Sequence, residues 1–371
     1  MPQLADIIVI GGGVIGCSIA YHLGAAGYRC TLIERDTIGA GASSVAAGML
    51  TVTIDHLRAG PQFQLGLESL KVYPETLKAV HELSGIDPEY VTAGSLRLAY
   101  TEQEERELRA AIPELKPLLE IDWVSAGDIL KTEPQLNPHI RGGIFTPGER
   151  QVRAARLTQA YAQAAAATER VAFQFGSPVT ALTYQGQRVT GVRLADRSHM
   201  SADHVVLAAG TWSNFISESI GVTVPVRPVR GQIITLYRVP RPLRMCVFTP
   251  YGYLTPKVDG SVLLGATYEE AGFDCRPTAA GIGGLLAGLP EIAPGLASAE
   301  IRELRVGLRP GTPDGAPILG DVSGWEGVTL ATGHFRSGIL LSPITGRLIT
   351  ELITEGKASV PLEPFSLARF E

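Results

Sequence analysis

Ile7-Ile8-Val9-Ile10 is an uninterrupted apolar run stopped by three glycines, the pattern of a short strand buried on both faces. A helix is predicted from about Gly13 to Ala26, ended by Gly27, and Cys30-Thr31-Leu32-Ile33-Glu34 then forms a second strand closing in an acid. Apolar strands running into small-residue turns return at His204–Ser213 and at Gly327–Gly338. A C-terminal helix is predicted from about Ile339 to Thr354. Ile344, Leu348, Ile349, Leu352 and Ile353 keep near-helical spacing there, and Pro343 is expected in the first turn, where its missing N–H is no loss. Between these blocks the pattern changes. Residues 88–145 and roughly 223–304 alternate polar and apolar positions and are broken by Pro and Gly, as in Gly94–Tyr100 and Tyr251–Pro256, which predicts antiparallel strands. Alternation sets Tyr251 and Tyr253 on one strand face. Glu102 to Ala111 is a charged, solvent-facing helix, and Gly281 to Leu289 is a small, apolar helix or loop.

Length and composition narrow the class. The 371 residues, 45% hydrophobic and 19% charged, suffice for a sizeable core in two domains or one interleaved unit. The formal charge of −5, with both signs mixed along the chain, excludes the basic footprint of a nucleic-acid binder. Cys17, Cys30, Cys246 and Cys275 are scattered without metal-ligand or disulfide spacing, so no metal and a reducing cytoplasm are expected. The apolar stretch Ile7–Gly27 imitates a signal peptide or spanning helix. Its leader carries Asp6 where a signal would carry Lys or Arg, and three glycines would break the helix near its start, so a buried strand-turn-helix and no membrane partner are expected.

Gly11, Gly13 and Gly16 satisfy GxGxxG between a strand and a helix. The first permits a tight turn, the second a close approach to a pyrophosphate, the third close helix–strand packing, and the helix N-terminus favours the phosphates. Glu34 is placed to accept from ribose hydroxyls. After Arg35-Asp36 the chain becomes a run of tiny side chains, Gly39 to Met49, where a nicotinamide enzyme is expected to have another regular helix. Such a loop suits a flavin: it can wrap a pyrophosphate and lie flat against an isoalloxazine, with Ser43 and Ser44 adding hydroxyls. Gly210 and the helix N-terminus after Ser337 are expected beside the same cofactor.

Together the N-terminal fingerprint, Ser43–Leu50, Gly307-Leu308-Arg309-Pro310-Gly311-Thr312-Pro313-Asp314-Gly315 and Gly333-His334-Phe335-Arg336-Ser337-Gly338-Ile339-Leu340-Leu341 resemble the FAD-dependent D-amino acid oxidase and glycine oxidase family. The last segment looks most like the glycine oxidase branch, the flavoenzymes of thiamine thiazole synthesis. The resemblance implies an α/β protein: a Rossmann-like FAD-binding domain of interleaved segments (1–87, 146–222 and 305–371) and a substrate domain with an antiparallel sheet (88–145 and 223–304). It implies FAD contacts from the fingerprint residues Gly11, Gly13, Val14, Ile15 and Gly16, from Glu34, Arg35, Ser43, Ser44, Ala47, Gly48, Met49, Val179, Gly210, Trp212 and Gly307, and from His334, Phe335, Arg336, Ser337, Gly338, Ile339 and Leu340. Arg309 and Tyr253 match the family's carboxylate-binding pair, and Arg336 lies near the flavin and entrance, its carbonyl near the substrate amine. Met49 and Tyr268 are expected in the substrate pocket, Tyr268 standing where a glycine oxidase relative has methionine.

Sarcosine oxidase relatives attach flavin to a cysteine near Pro310–Pro317 and favour a lysine in the strand before Gly265. This chain has neither, so noncovalent FAD is expected. The implied activity is oxidation of glycine, and of small D-amino acids or sarcosine, to an imine and then a 2-oxo acid and ammonia, with dioxygen giving hydrogen peroxide. A homo-oligomer of tetrameric form and delivery of the imine to a thiazole synthase are further implications. The alternatives are an FAD-dependent dehydrogenase feeding a quinone or carrier and a non-catalytic flavin-binding subunit, with a nicotinamide dehydrogenase more distant.

Overall fold

The computed structural model describes residues 6–54 and 57–371, so the leader ahead of Asp6 lies outside them. Two sheets organise the chain. The first runs, in spatial order, Ile318–Asp321, Val328–Thr332, His204–Leu207, Asp6–Ile10, Arg29–Ile33 and Val171–Gln174. Its neighbours are parallel except the first pair, which is antiparallel. The central strand explains why its sequence is apolar throughout: Ile7 and Val9 pack into the core on one side, Ile8 and Ile10 into the core on the other. Helix Val14–Ala25 covers one face and crosses helix Gly338–Glu355 closely. A Cβ on Gly346 would collide with Ser18 Oγ, which instead donates to the Ser342 carbonyl at 2.8 Å.

The second sheet has eight strands: Glu300–Gly311, Arg227–Tyr237, Val262–Gly265, Gly252–Pro256, Cys246–Thr249, Ser95–Ala99, Gly142–Thr146 and Asp122–Ser125. All its pairings are antiparallel except Cys246–Thr249 with Ser95–Ala99. Strand Glu300–Gly311 runs beside Arg227–Tyr237, from Glu300 opposite Tyr237 to Gly311 opposite Arg227, with one register shift between Thr235 and Leu236. It therefore crosses the boundary expected at 304/305, because ladder hydrogen bonds continue across it, and it carries the second sheet up to the first. Strand Gly142–Thr146 likewise crosses the boundary at 145/146.

Three local expectations are corrected. Pro343 is the sixth residue of its helix, not part of the first turn. It removes the N–H that would bond Ile339, and that carbonyl is satisfied by the Tyr73 hydroxyl at 2.6 Å and Ser342 Oγ at 3.0 Å. The small-residue loop contains a one-turn helix, Ala42–Val45. Tyr251 precedes the strand that holds Tyr253. It sits in a tight turn where Thr249 Oγ1 accepts from its N–H at 3.1 Å and donates to the Gly252 carbonyl at 2.9 Å. The Gly281–Leu289 segment is a helix, Ala279–Ile292, capped by Thr278.

Candidate active site

Two adjoining cavities lie where the sheets meet. The smaller, about 330 Å³, follows the edge of the first sheet and is lined by Gly11, Gly13, Val14, Ile15, Glu34, Arg35, Ser43, Val179, Gly210, Trp212, His334 and Gly338, among others. The larger, about 600 Å³, lies against the second sheet and is lined by Ala47, Gly48, Met49, Tyr253, Tyr268, Gly307, Arg309, Ser337 and Leu340 with further neighbours. Ala42, Ala46, Phe335, Arg336 and Ile339 line both. Two of the expected cofactor residues line neither. Gly16 acts by packing, since a Cβ there would run into the Gly11 carbonyl. Ser44 turns away, and its carbonyl accepts from Arg305 Nη1 at 3.1 Å.

The smaller cavity is shaped by backbone. Gly11 has φ 109°, and a Cβ on it would lie 2.5 Å from the Ala208 oxygen. Helix Val14–Ala25 begins at Gly13, which supplies no side-chain cap, so the end of the helix faces the cavity with its backbone donors. Ser43 Oγ accepts from the Val14 N–H at 2.9 Å and keeps its own proton to donate. Glu34 accepts from the N–H groups of Gly12 at 2.6 Å and Asp36 at 2.9 Å, which fixes the carboxylate at the end of its strand. Arg35 stacks 3.7 Å above the Trp212 ring. His334, though in the wall, is buried and bonded through Nε2 to Thr345 Oγ1 at 3.0 Å. Desolvation lowers its pKa to about 3, so it is a neutral packing residue and not a base.

The larger cavity is cationic where it meets the second sheet. Arg309 lies opposite Val229 in the ladder, and its guanidinium rests on Gly231, where any Cβ would collide with it. Arg309 Nη1 donates to the Thr267 carbonyl at 3.1 Å. Tyr253 shares the wall and, like Met49, Val45 and Ala266, packs against the buried Ala47, Ile233 and Leu263. Burial raises its pKa above the ordinary tyrosine value, while Arg309, Arg336 and Arg305 pull it down and Arg309 hydrogen-bonds it, so at neutral pH its O–H is a donor beside the guanidinium. The sequence-predicted pair is thus brought together. Tyr268 lines the cavity but is 56% exposed, edge-on to Phe335 at 5.9 Å. It stands at the mouth and does not fill the pocket.

Two features escaped the sequence reading. Lys257 is half-buried, and its ammonium donates to the Ala47 carbonyl at 2.6 Å and to Gln151 Oε1 and the Val152 carbonyl at 3.0 Å each. Desolvation lowers its pKa to about 8. It pins the Ala47–Met49 backbone along the cavity, but from a hairpin turn beyond Pro256 that no motif marks. The other is a polar network behind Arg309, from Arg230, Gln232, Thr267 and Glu269. Its signal is alternation: Arg230 and Gln232 share one strand face, and Gly231 and Arg309 share the other.

A family model described as FAD dependent oxidoreductase matches residues 6–352. The chain belongs to the FAD-dependent oxidoreductases. Among its relatives, the glycine oxidase of Geobacillus kaustophilus is 34% identical over 381 residues, covering 100% of this chain and 98% of that protein. The crystal structure of glycine oxidase from the same organism superposes with a TM-score of 0.94 at 33% identity, covering 99% of each chain. The hydrogen cyanide synthase subunit HcnC of Pseudomonas aeruginosa is 32% identical over 410 residues, covering 100% of this chain and 97% of that subunit. The bifunctional protein ThiO/ThiG of Trichormus variabilis is 36% identical over 371 residues, covering 99% of this chain and 55% of the relative. The groove of this FAD-dependent oxidoreductase fits its cofactor: a Cβ added to Gly41 or Gly210 on its wall would meet no atom within 4 Å. The N–H groups of Gly13 and Ile15 and the Ser43 hydroxyl would be the donors for a pyrophosphate and Glu34 an acceptor for ribose, and Ala42, Ala46, Phe335, Arg336 and Ile339 form the wall that the two cavities share. Among the described residues no helix is long and apolar enough to cross a membrane, and no cluster of three or more His, Cys, Asp or Glu side chains can hold a metal.

Proposed function

We propose that this FAD-dependent enzyme is an amino acid oxidase acting on glycine, with sarcosine and small D-amino acids as further substrates, and that it binds FAD noncovalently. One observation carries the reading: a guanidinium and a phenol, Arg309 and Tyr253, converge on the cavity that adjoins the nucleotide groove. Bound FAD supplies the two-electron acceptor, and dioxygen then takes the electrons to give hydrogen peroxide. The protein's part is orientation. Arg309 offers paired N–H donors to a carboxylate, and Tyr253 adds its O–H to the same anion. Arg336, shared by both cavities, adds positive charge at the junction. Hydride leaves more readily beside a nitrogen lone pair, so the neutral amine reacts, and kcat/KM rises above neutral pH toward the substrate's amine pKa. Water then converts the imine to glyoxylate and ammonia. Anaerobic mixing with glycine tests the reading: the yellow absorbance should bleach, and persistence of the oxidised spectrum at saturating glycine would overturn it.

The match to HcnC, a hydrogen cyanide synthase subunit, favours a second reading, in which this chain works as one subunit of a larger enzyme; for that case we propose an electron acceptor other than dioxygen. Stoichiometric peroxide from glycine under air supports the oxidase, and bleaching with turnover only on an artificial electron acceptor supports the subunit. The kinship with ThiO/ThiG supports delivery of the imine to a thiazole synthase. A tetrameric homo-oligomer is the expected assembly, checked by light scattering of the holoenzyme.

A further inference from the structure

Arg309 and Tyr253 form the wall of the larger cavity, but what holds Arg309 lies behind it. Its Nη1 donates to the carbonyl of Thr267, in a segment that continues from strand Val262–Gly265 alongside strand Arg227–Tyr237. That peptide is itself tied down. The Gln232 N–H donates to Thr267 Oγ1 at 2.9 Å, and Thr267 Oγ1 donates to Glu269 Oε1 at 2.5 Å. Glu269 is the hub: Oε1 also accepts from Gln232 Nε2 at 2.7 Å, and Oε2 accepts from Arg230 Nη2 at 2.5 Å and Nε at 3.2 Å. Backbone bonds between Arg230 and Glu269, at 2.9 and 3.0 Å, close the bridge in both directions. Arg230 and Gln232 are buried while the Glu269 side chain is 25% exposed, so these charge-assisted bonds are screened from water on the Arg230 and Gln232 side.

We infer that Glu269 is a positioning residue for substrate carboxylate binding: through Thr267 it fixes the plane of the Arg309 guanidinium. The inference rests on the reading of Arg309 as the carboxylate anchor. A guanidinium is a rigid fork, and which two N–H groups face a ligand depends on which are already engaged. The Thr267 carbonyl engages Nη1 on one side, and Gly231 leaves the space in which the fork lies flat. Glu269 also neutralises Arg230, whose charge lies on the far face of the same strand, together with Asp274 at 3.3 Å from Arg230 Nη1. Beyond Asp274's neighbour Phe273, the segment reaches the rim of the nucleotide groove, where that ring lies 5.6 Å from Trp212 and 5.5 Å from Phe215. One segment therefore links the anchor to the groove.

The test uses FAD-loaded protein and two readouts, steady-state kinetics with glycine and the flavin absorbance change on binding glycolate, a carboxylate without an amine. Glu269→Gln removes the charge while keeping the shape, and the KM for glycine and the Kd for glycolate should rise together by about 5- to 30-fold, with kcat within about threefold of the parent. Thr267→Val removes the hydroxyl that joins Glu269 to the peptide while leaving the carbonyl, and should raise both constants by about 3- to 10-fold. Should Glu269→Gln fail to retain FAD, Thr267→Val carries the test alone. A KM and Kd within twofold of the parent in folded, FAD-loaded variants would overturn the inference, as would a loss confined to kcat or to melting temperature. Failure of the parent protein itself to be reduced by glycine would instead refute the activity, not the positioning role.

Discussion

The nucleotide groove and the substrate cavity share a wall, yet they are built by opposite means. One side of the groove is made by backbone from neighbouring positions: Gly11, Gly13 and the start of one helix, with Glu34 just after the next strand. The cavity's anchor is made by long side chains brought together by sheet register, Arg309 from one strand and Tyr253 from another, braced by Thr267 and Glu269 from the segment between. The difference predicts how each fails. Damage to the groove should lower cofactor retention, and damage to the anchor should lower substrate binding in an enzyme that stays yellow.

The largest effect is expected at the anchor. Losing one partner of a desolvated charge pair costs about 2–5 kcal/mol, so Arg309→Ala should lower kcat/KM for glycine roughly 30- to 5,000-fold while FAD content stays near the parent's. Stopped-flow reduction checks this, and kcat/KM within threefold would remove Arg309 from its role. Next comes Gly16→Ala, which pushes a methyl into the Gly11 carbonyl. Overpacking of this kind costs about 1–3 kcal/mol, so FAD affinity should weaken by roughly 5- to 150-fold with the glycine KM of the loaded fraction unchanged. Flavin fluorescence titration of the apoprotein measures it.

Acid stability should distinguish the two regions more finely. His334 in the groove wall, and His22 in the helix beneath it, are held neutral by burial, with pKa values of about 3 and about 4 against an ordinary 6.5. Between those values the unfolded chain binds more protons than the folded one, so stability rises with pH and falls on acidification from 6.5 downward, by up to about 1.4 kcal/mol per pH unit for each histidine. His334→Gln should flatten that slope in urea unfolding curves taken from pH 6.5 to 4, and an unchanged slope would contradict it. The smallest effect is expected from Tyr268→Met. Because that ring stands exposed at the mouth, the KM values for glycine and sarcosine should move by no more than about threefold, the scale of a surface change. A much larger, substrate-selective shift would put Tyr268 inside the pocket after all.

The two regions also differed in how far the amino-acid sequence disclosed them. The groove could be read because its parts are local: glycines, helix start and acid follow one another within a single strand-turn-helix-strand unit. Motifs mark Arg309, Tyr253 and Arg336, and the structure brings the three to one cavity. Glu269 and Lys257 were not found, because their work depends on register between distant strands and on burial, neither of which a local pattern carries. Pro343 was misplaced for a related reason: the partner that satisfies the carbonyl it orphans is Tyr73, far away in the chain. Ser44, expected beside Ser43, lines neither cavity, because the two lie on a one-turn helix, Ala42–Val45, and only Ser43 reaches the groove.

Arg309 and Tyr253 should be where a small carboxylate comes to rest. A crystal structure of the FAD-loaded enzyme with glycolate should place the carboxylate within hydrogen-bond distance of the Arg309 guanidinium and the Tyr253 hydroxyl. A carboxylate held elsewhere in the cavity, with residues 253 and 309 untouched, would contradict it.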